Sequence, residues 1–176
     1  MDMETLDEVG LSLPGVAREA IQAWLAGHGH KPPPRGAGPA APVFVTLRGV
    51  DGALRGCIGT LRATQPNVVM ETARSAVLAA SEDPRFEPVR SKEFTGLRIE
   101  VSVLLPEEPV SGLNELDPVH YGVVVRDDAG HHGVLLPAIE GIDDAATQVS
   151  IARRKAHIAH DAAVHLARFQ VRKFVG

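Results

Sequence analysis

Apolar and polar residues alternate along Val43-Phe44-Val45-Thr46-Leu47-Arg48, and a second short run, Leu54-Arg55-Gly56-Cys57-Ile58-Gly59, follows shortly after. A period of two predicts strands, and Asp51-Gly52 between the runs predicts a hairpin closed by a two-residue type I′ turn. That turn would set Val50 opposite Ala53, Arg48 opposite Arg55, Thr46 opposite Cys57 and Phe44 opposite Gly59. One face of the ribbon then gathers Phe44, Thr46, Arg48, Arg55 and Cys57, while Val43, Val45, Leu47 and Ile58 make the other, the core face. Two arginines directly across from one another cost stability unless an anion lies near them, either a carboxylate of the same chain or a ligand.

Helical spacing appears elsewhere. Val16, Ala20, Ala23 and Trp24 predict an amphipathic helix from Pro14 to Gly27, with Trp24 as its anchor. Val69, Ala73, Ala76, Val77 and Ala80 predict a second after Pro66, whose small residues allow close packing on the sheet, with Glu71 near its start. Residues 1–13 read as an N-terminal tail and 14–176 as one domain, with a Pro/Gly-rich connector at 29–42 that contains Pro32-Pro33-Pro34. Asp83-Pro84-Arg85-Phe86 stops the second helix and opens a polar loop. Leu97 to Val103 alternates as a strand with one buried face, placing Glu100 and Ser102 on the polar side. Glu107 to Pro118 reads as a surface excursion. Tyr121–Val125 and Val134–Leu136 form a second hairpin about Asp128-Ala129-Gly130, Asp143 or Asp144 caps a helix running toward His157, and 164–174 reads as a final strand. Hairpins interrupted by a few helices give an α+β fold: an antiparallel or mixed sheet with packed helices, in a larger and a smaller lobe with a groove between.

Composition narrows the function classes. A net charge of −4 offers no general attraction to nucleic acid or membrane, and no apolar run approaches the ~20 residues of a membrane span. The acidic start Met1-Asp2-Met3-Glu4 lacks the basic region of a signal peptide, so the expected location is the cytoplasm. A single cysteine excludes an internal disulfide or a multi-thiolate zinc site. No Gly-rich phosphate loop, serine nucleophile elbow or aromatic RNA-binding signature is present, and no cofactor is expected.

The candidate chemistry centres on Cys57. Guanidinium groups favour the thiolate form of a neighbouring thiol, which points to Arg48 and Arg55, and strand glycines such as Gly56 and Gly59 mark close approach of a ligand or another backbone. The opposing reading is that an isolated strand cysteine is a small buried hydrophobe. Arg85 is either an anion clamp or a loop residue paired with Asp83 or Glu87. Glu100, should its strand neighbour the hairpin, neutralises the arginine pair or accepts the Cys57 proton; His131 or His132 is the alternative base. His157, His160 and Asp161 have a spacing that could hold a metal on one helical face, but no third ligand is fixed elsewhere, and no metal site is assigned. His28 and His30 flank the connector. Arg153, Arg154, Lys155, Arg168, Arg172 and Lys173 make the last quarter basic, either a solvated surface or an attraction for an anionic substrate or acidic partner.

The runs Leu54-Arg55-Gly56-Cys57-Ile58-Gly59-Thr60, Asp83-Pro84-Arg85-Phe86, Ile99-Glu100-Val101-Ser102-Val103-Leu104 and Gly130-His131-His132-Gly133-Val134-Leu135-Leu136-Pro137 together resemble the AMMECR-one domain family, whose bacterial members are called AmmeMemoRadiSam system protein A. The resemblance runs from about Trp24 to Phe174. It implies a two-lobed α+β domain, a suspected site near the cysteine motif, and partners of the Memo and radical SAM kinds. The chain departs from the family pattern at Ala138-Ile139, where a Val-Trp is common, and at Lys155-Ala156-His157, where Lys-Ala-Gly is usual. Two expectations follow. One is an enzyme or enzyme subunit that modifies a small anionic molecule or a protein side chain, with Cys57, Glu100 and His131 as catalytic candidates and Thr46, Arg48, Arg55, Gly56, Gly59, Arg85, Ser102 and Lys155 as binding candidates. The other is a non-catalytic adaptor gripping a peptide, a Memo-like protein or a radical SAM protein in the same groove.

Overall fold

A computed structural model describes residues 3–29 and 38–176; His30 and the triple proline of the connector lie outside the described residues. In chain order the elements are α1 (Met3–Gly10), α2 (Leu13–Leu25), β1 (Val43–Arg48), β2 (Leu54–Gly59), α3 (Val68–Ser81), α4 (Ser91–Phe94), β3 (Arg98–Leu104), β4 (Glu108–Val110), a 3-10 turn (Leu113–Glu115), β5 (Gly122–Arg126), β6 (His132–Leu135), α5 (Ala145–Lys155), β7 (His165–Phe169) and β8 (Val171–Val175). They divide into two compact units, Met1–Leu104 with Arg172–Gly176, and Leu105–Val171. Each unit holds a four-stranded sheet with helix packed on it, so the fold is α+β with antiparallel pairing.

The first unit orders its strands β2-β1-β3-β8. Val43, Val45 and Leu47 of β1 are fully buried, as expected of a core face, and α3 packs against β1 and β2. Asn67 caps α3 by accepting the Met70 N–H at 2.9 Å, and Ala73, Ala76, Ala79 and Ala80 are buried along it. Gly56 is the reciprocal device, since a Cβ there would collide with the carbonyl oxygen of Ala79. α2 packs on α3 and β3 through Leu13, Val16, Ala17, Ala20 and Ile21; its anchor is Ile21, fully buried, whereas Trp24 is half-buried. α1 occupies part of the stretch read as a tail and buries Leu6 completely.

The hairpin departs from the type I′ expectation. Gly52 N–H donates to Gly49 O and Gly49 N–H to Ala53 O, so Val50 and Asp51 are the turn's centre and Gly52, at φ +79°, takes the left-handed position after it. This three-residue loop with its bulge keeps Thr46 opposite Cys57 and Phe44 opposite Gly59, but shifts Arg48 opposite Leu54 rather than Arg55. β3 also differs from a strand with one buried face: all but Arg98 are buried, Glu100 and Ser102 included.

The second unit orders its strands β4-β7-β5-β6 and packs α5 on β5 and β6 around Val123, Val125, Leu135, Val149, Ala152 and Ile158. Gly133 does here what Gly56 does in the first unit, as a Cβ would strike the Ala152 carbonyl oxygen. Asp144 caps α5 through the Thr147 N–H at 2.8 Å. The surface excursion contains β4 and the 3-10 turn. The expected final strand is two: β7 joins the second sheet and β8 the first, separated by Gln170 alone.

Candidate functional site

Cys57 lies in β2, at one end of the strand order, with its thiol half-buried. An end strand leaves its outward backbone groups unpaired. At Cys57 they are taken by the loop that follows α3: the Cys57 N–H donates to Asp83 Oδ2 at 2.9 Å, and Arg85 Nη2 donates to the Cys57 carbonyl at 3.4 Å. Asp83 is itself held by Arg85 through Nε (3.0 Å) and Nη2 (2.7 Å), and accepts the Arg85 N–H at 3.1 Å. The pair forms a clasp over the edge. Hydrogen bonding from Arg85 holds the Asp83 carboxyl at a pKa of about 2, and the same contact raises Arg85.

On the Cys57 side chain, the Thr46 hydroxyl stands 3.3 Å from Sγ. Register continues the row onto Glu100 in β3, opposite Thr46. Glu100, buried, accepts from Arg48 Nε at 3.1 Å and lies 3.8 Å from Lys173 Nζ. Arg55 is bound through both Nε and Nη2 to Glu93, at 2.9 and 2.7 Å, and this contact lowers the Glu93 carboxyl below its usual range. The Phe86 ring lies under both guanidinium groups, 5.9 Å from Arg55 and 5.5 Å from Arg85.

The structure therefore gathers Cys57, Thr46, Arg55 and Arg85 about β2, with Arg48 and Glu100 beside them. The anion expected near Arg48 and Arg55 is supplied by the chain, one carboxylate to each. The glycines serve packing: Gly56 admits α3, and a Cβ on Gly59 would collide with the Phe44 ring and the Val43 carbonyl. Ser102 is buried opposite Phe44. His131 and Lys155 belong to the second unit. There His131 Nδ1 lies 2.7 Å from Asp127 Oδ2 at the β5–β6 turn, which lowers the Asp127 carboxyl, and Lys155 Nζ donates to Val134 O at 2.9 Å. His157 and His160 fall beyond the end of α5 rather than on its face, and among the described residues no group of His, Cys, Asp and Glu is arranged to hold a metal.

The pairing of Arg85 with Asp83 was one of the two readings open for Arg85, but the Asp83 bond to the Cys57 N–H was not expected, and sequence reasoning passed over Glu93. Asp83 had a local signal, since an Asp two residues before an Arg can bond both its backbone and its guanidinium. Glu93 had one too, as the third residue after Arg90, whose N–H it accepts at 2.9 Å, although nothing local linked it to Arg55.

The AMMECR1 family model matches residues 14–174. The chain belongs to the AMMECR1 family. A Thermotoga maritima protein is 45% identical over 135 residues, covering 76% of this chain and 77% of that one. A Clostridium acetobutylicum protein is 42% identical over 117 residues, and the matched part is 66% of this chain but 24% of that longer one. A crystal structure of a Pyrococcus horikoshii protein matches with a TM-score of 0.85 at 30% identity, covering 96% of this chain and 91% of that one. The AMMECR1 match includes both units and the whole Cys57 cluster. Within the matched stretch His157 has φ +57°, a left-handed backbone that ordinarily favours glycine. Among the described residues no helix is long and apolar enough to cross a membrane.

Proposed function

We propose that Cys57 is the reactive thiol of a cytoplasmic enzyme, or enzyme subunit, that modifies a small anionic molecule or a protein side chain. The observation that carries this reading is the polar setting of the sulfur: half-buried, 3.3 Å from the Thr46 hydroxyl, with Arg85 bonded to its own carbonyl. Arg85 is 53% exposed, and its Nη1 carries no bond among the described residues, so one edge of the guanidinium remains for an anionic group. In this reading Thr46 orients the sulfur, Arg85 receives the anion and Glu100, one strand beyond Thr46, accepts the proton. His131 and Lys155 are not needed, since each has a polar partner within the second unit.

A second reading has one observation in its favour. Arg48 and Arg55 are already satisfied by carboxylates of their own unit, which suits a rigid surface that grips a peptide, a Memo-like protein or a radical SAM protein without reacting. Alkylation separates the two. Native protein at pH 7 should react with iodoacetamide faster than the unfolded chain, and Arg85→Gln should slow it by about threefold or more, because a nearby cation stabilises the thiolate. Labelling that appears only on unfolding would overturn the reactive-thiol reading and leave the adaptor.

A further inference from the structure

At the end of α5 the second unit has a hollow of about 430 Å³, within the size range of small-molecule sites. Its walls carry Arg153, Arg154, His157 and His160, its apolar patch is Ile158 and Ala159, and no acidic side chain lines it. In a chain of net charge −4 that composition runs against the average.

The two arginines have different duties. Arg153 Nη1 donates to the carbonyls of Ala159 and Ala162 at 2.9 and 2.8 Å, and so fixes the loop that forms the far wall. Arg154 is exposed, and its side chain has no hydrogen bond or ion pair among the described residues. The end of a helix is a poor place for an anion when its carbonyls are bare. Here most are covered: Ala156 N–H donates to the carbonyls of Ala152 and Arg153, Ile158 N–H to that of Arg153 and His157 N–H to that of Arg154. His157 adds a second observation. At φ +57° the His157 backbone is left-handed, a strained conformation for a non-glycine residue, and strain of this kind is retained where the side chain has a use. His157 lines the hollow.

We propose that this hollow is a binding site for a phosphate monoester of a small organic molecule. A tetrahedral dianion uses donors from several directions, which the Arg154 fork and the imidazoles of His157 and His160 supply, and Ile158 and Ala159 cover the organic portion. The site lies within the second unit and does not depend on the reading of Cys57.

The test is an amide-resolved NMR titration of the full chain with inorganic phosphate, phenyl phosphate and benzoate. Shifts should cluster at residues 150–160, and phenyl phosphate should bind more tightly than either of the others. Arg154→Ala should weaken phenyl phosphate by about tenfold, as expected for loss of a charge-assisted fork. His157→Gly should weaken it while raising the melting temperature, a combination that a purely structural role for His157 would not produce. Benzoate binding as tightly as phenyl phosphate, unchanged affinity in Arg154→Ala, or shifts scattered over basic residues throughout the chain would each overturn the proposal.

Discussion

Around Cys57 each of the three arginines has a carboxylate: Arg48 has Glu100, Arg55 has Glu93 and Arg85 has Asp83. At the end of α5 Arg154 has none among the described residues, and Arg153 is bonded only to carbonyl oxygens. The two regions show that a count of cations does not reveal a site. What matters is whether the fold has already spent them. A guanidinium bound through two nitrogens to a buried carboxylate positions structure, and only its remaining edge can meet a ligand.

The contrast can be broken first at the glycines that both units share. Gly56→Ala and Gly133→Ala each drive a Cβ into a helix carbonyl, and because backbone must move, each should cost about 2–3 kcal/mol, read as a fall in the denaturation midpoint. A loss much below that would show that α3 or α5 can slide on its sheet.

Asp83→Asn comes next, since it releases the Arg85 clasp on the buried side while Arg85 remains half in solvent. The expected loss is about 1–2 kcal/mol at pH 7, discounted for that exposure. The sign with pH follows from the depressed carboxyl. The folded pKa of about 2 lies below the ordinary 3.8, so the contribution is fully present above about pH 5 and is lost as acid passes from near 4 down through 2. The wild type should therefore lose stability over that window relative to Asp83→Asn, and equal acid sensitivity in the two would dissolve the clasp.

The smallest effect is of opposite sign. His157→Gly relieves the left-handed backbone and should stabilise the chain by about 0.5–1 kcal/mol, seen as a rise in melting temperature. No change would mean that the imidazole makes up in packing what the backbone loses.

Much of the architecture was legible because its signals are local. The alternation in β1 and β2, the alanine spacing of α3, Asn67 and Asp144 at helix starts and the Asp128-Ala129-Gly130 turn each declare themselves within a few residues. The failures were equally physical. The Asp51-Gly52 dipeptide suits two turn types, and the bulged loop won, moving Arg48 away from Arg55. Val164 to Phe174 reads as one strand because nothing around Gln170 marks a change of sheet. Of the candidate site, the row of Cys57 and Thr46 followed from pairing alone, and Glu100 joined it once β3 proved to neighbour β1. The Asp83 partner of Arg85 was among the expected alternatives, whereas Glu93, which decides what Arg55 can do, was not foreseen.

The sequence by itself determined the longer strands and helices, which face of the first hairpin is apolar, and that its thiol shares the other face with polar groups, because periods of two and 3.6 are properties of the backbone. Tertiary structure alone decided the partners of the charges. Arg48 meets Glu100 across 52 residues and Arg55 meets Glu93 across 38, and such meetings depend on strand order and on loop paths that no local pattern encodes. The same holds for the Cys57 edge, where the covering groups come from beyond α3, and for the hollow past α5, whose shape rests on Arg153 reaching carbonyls that follow the helix.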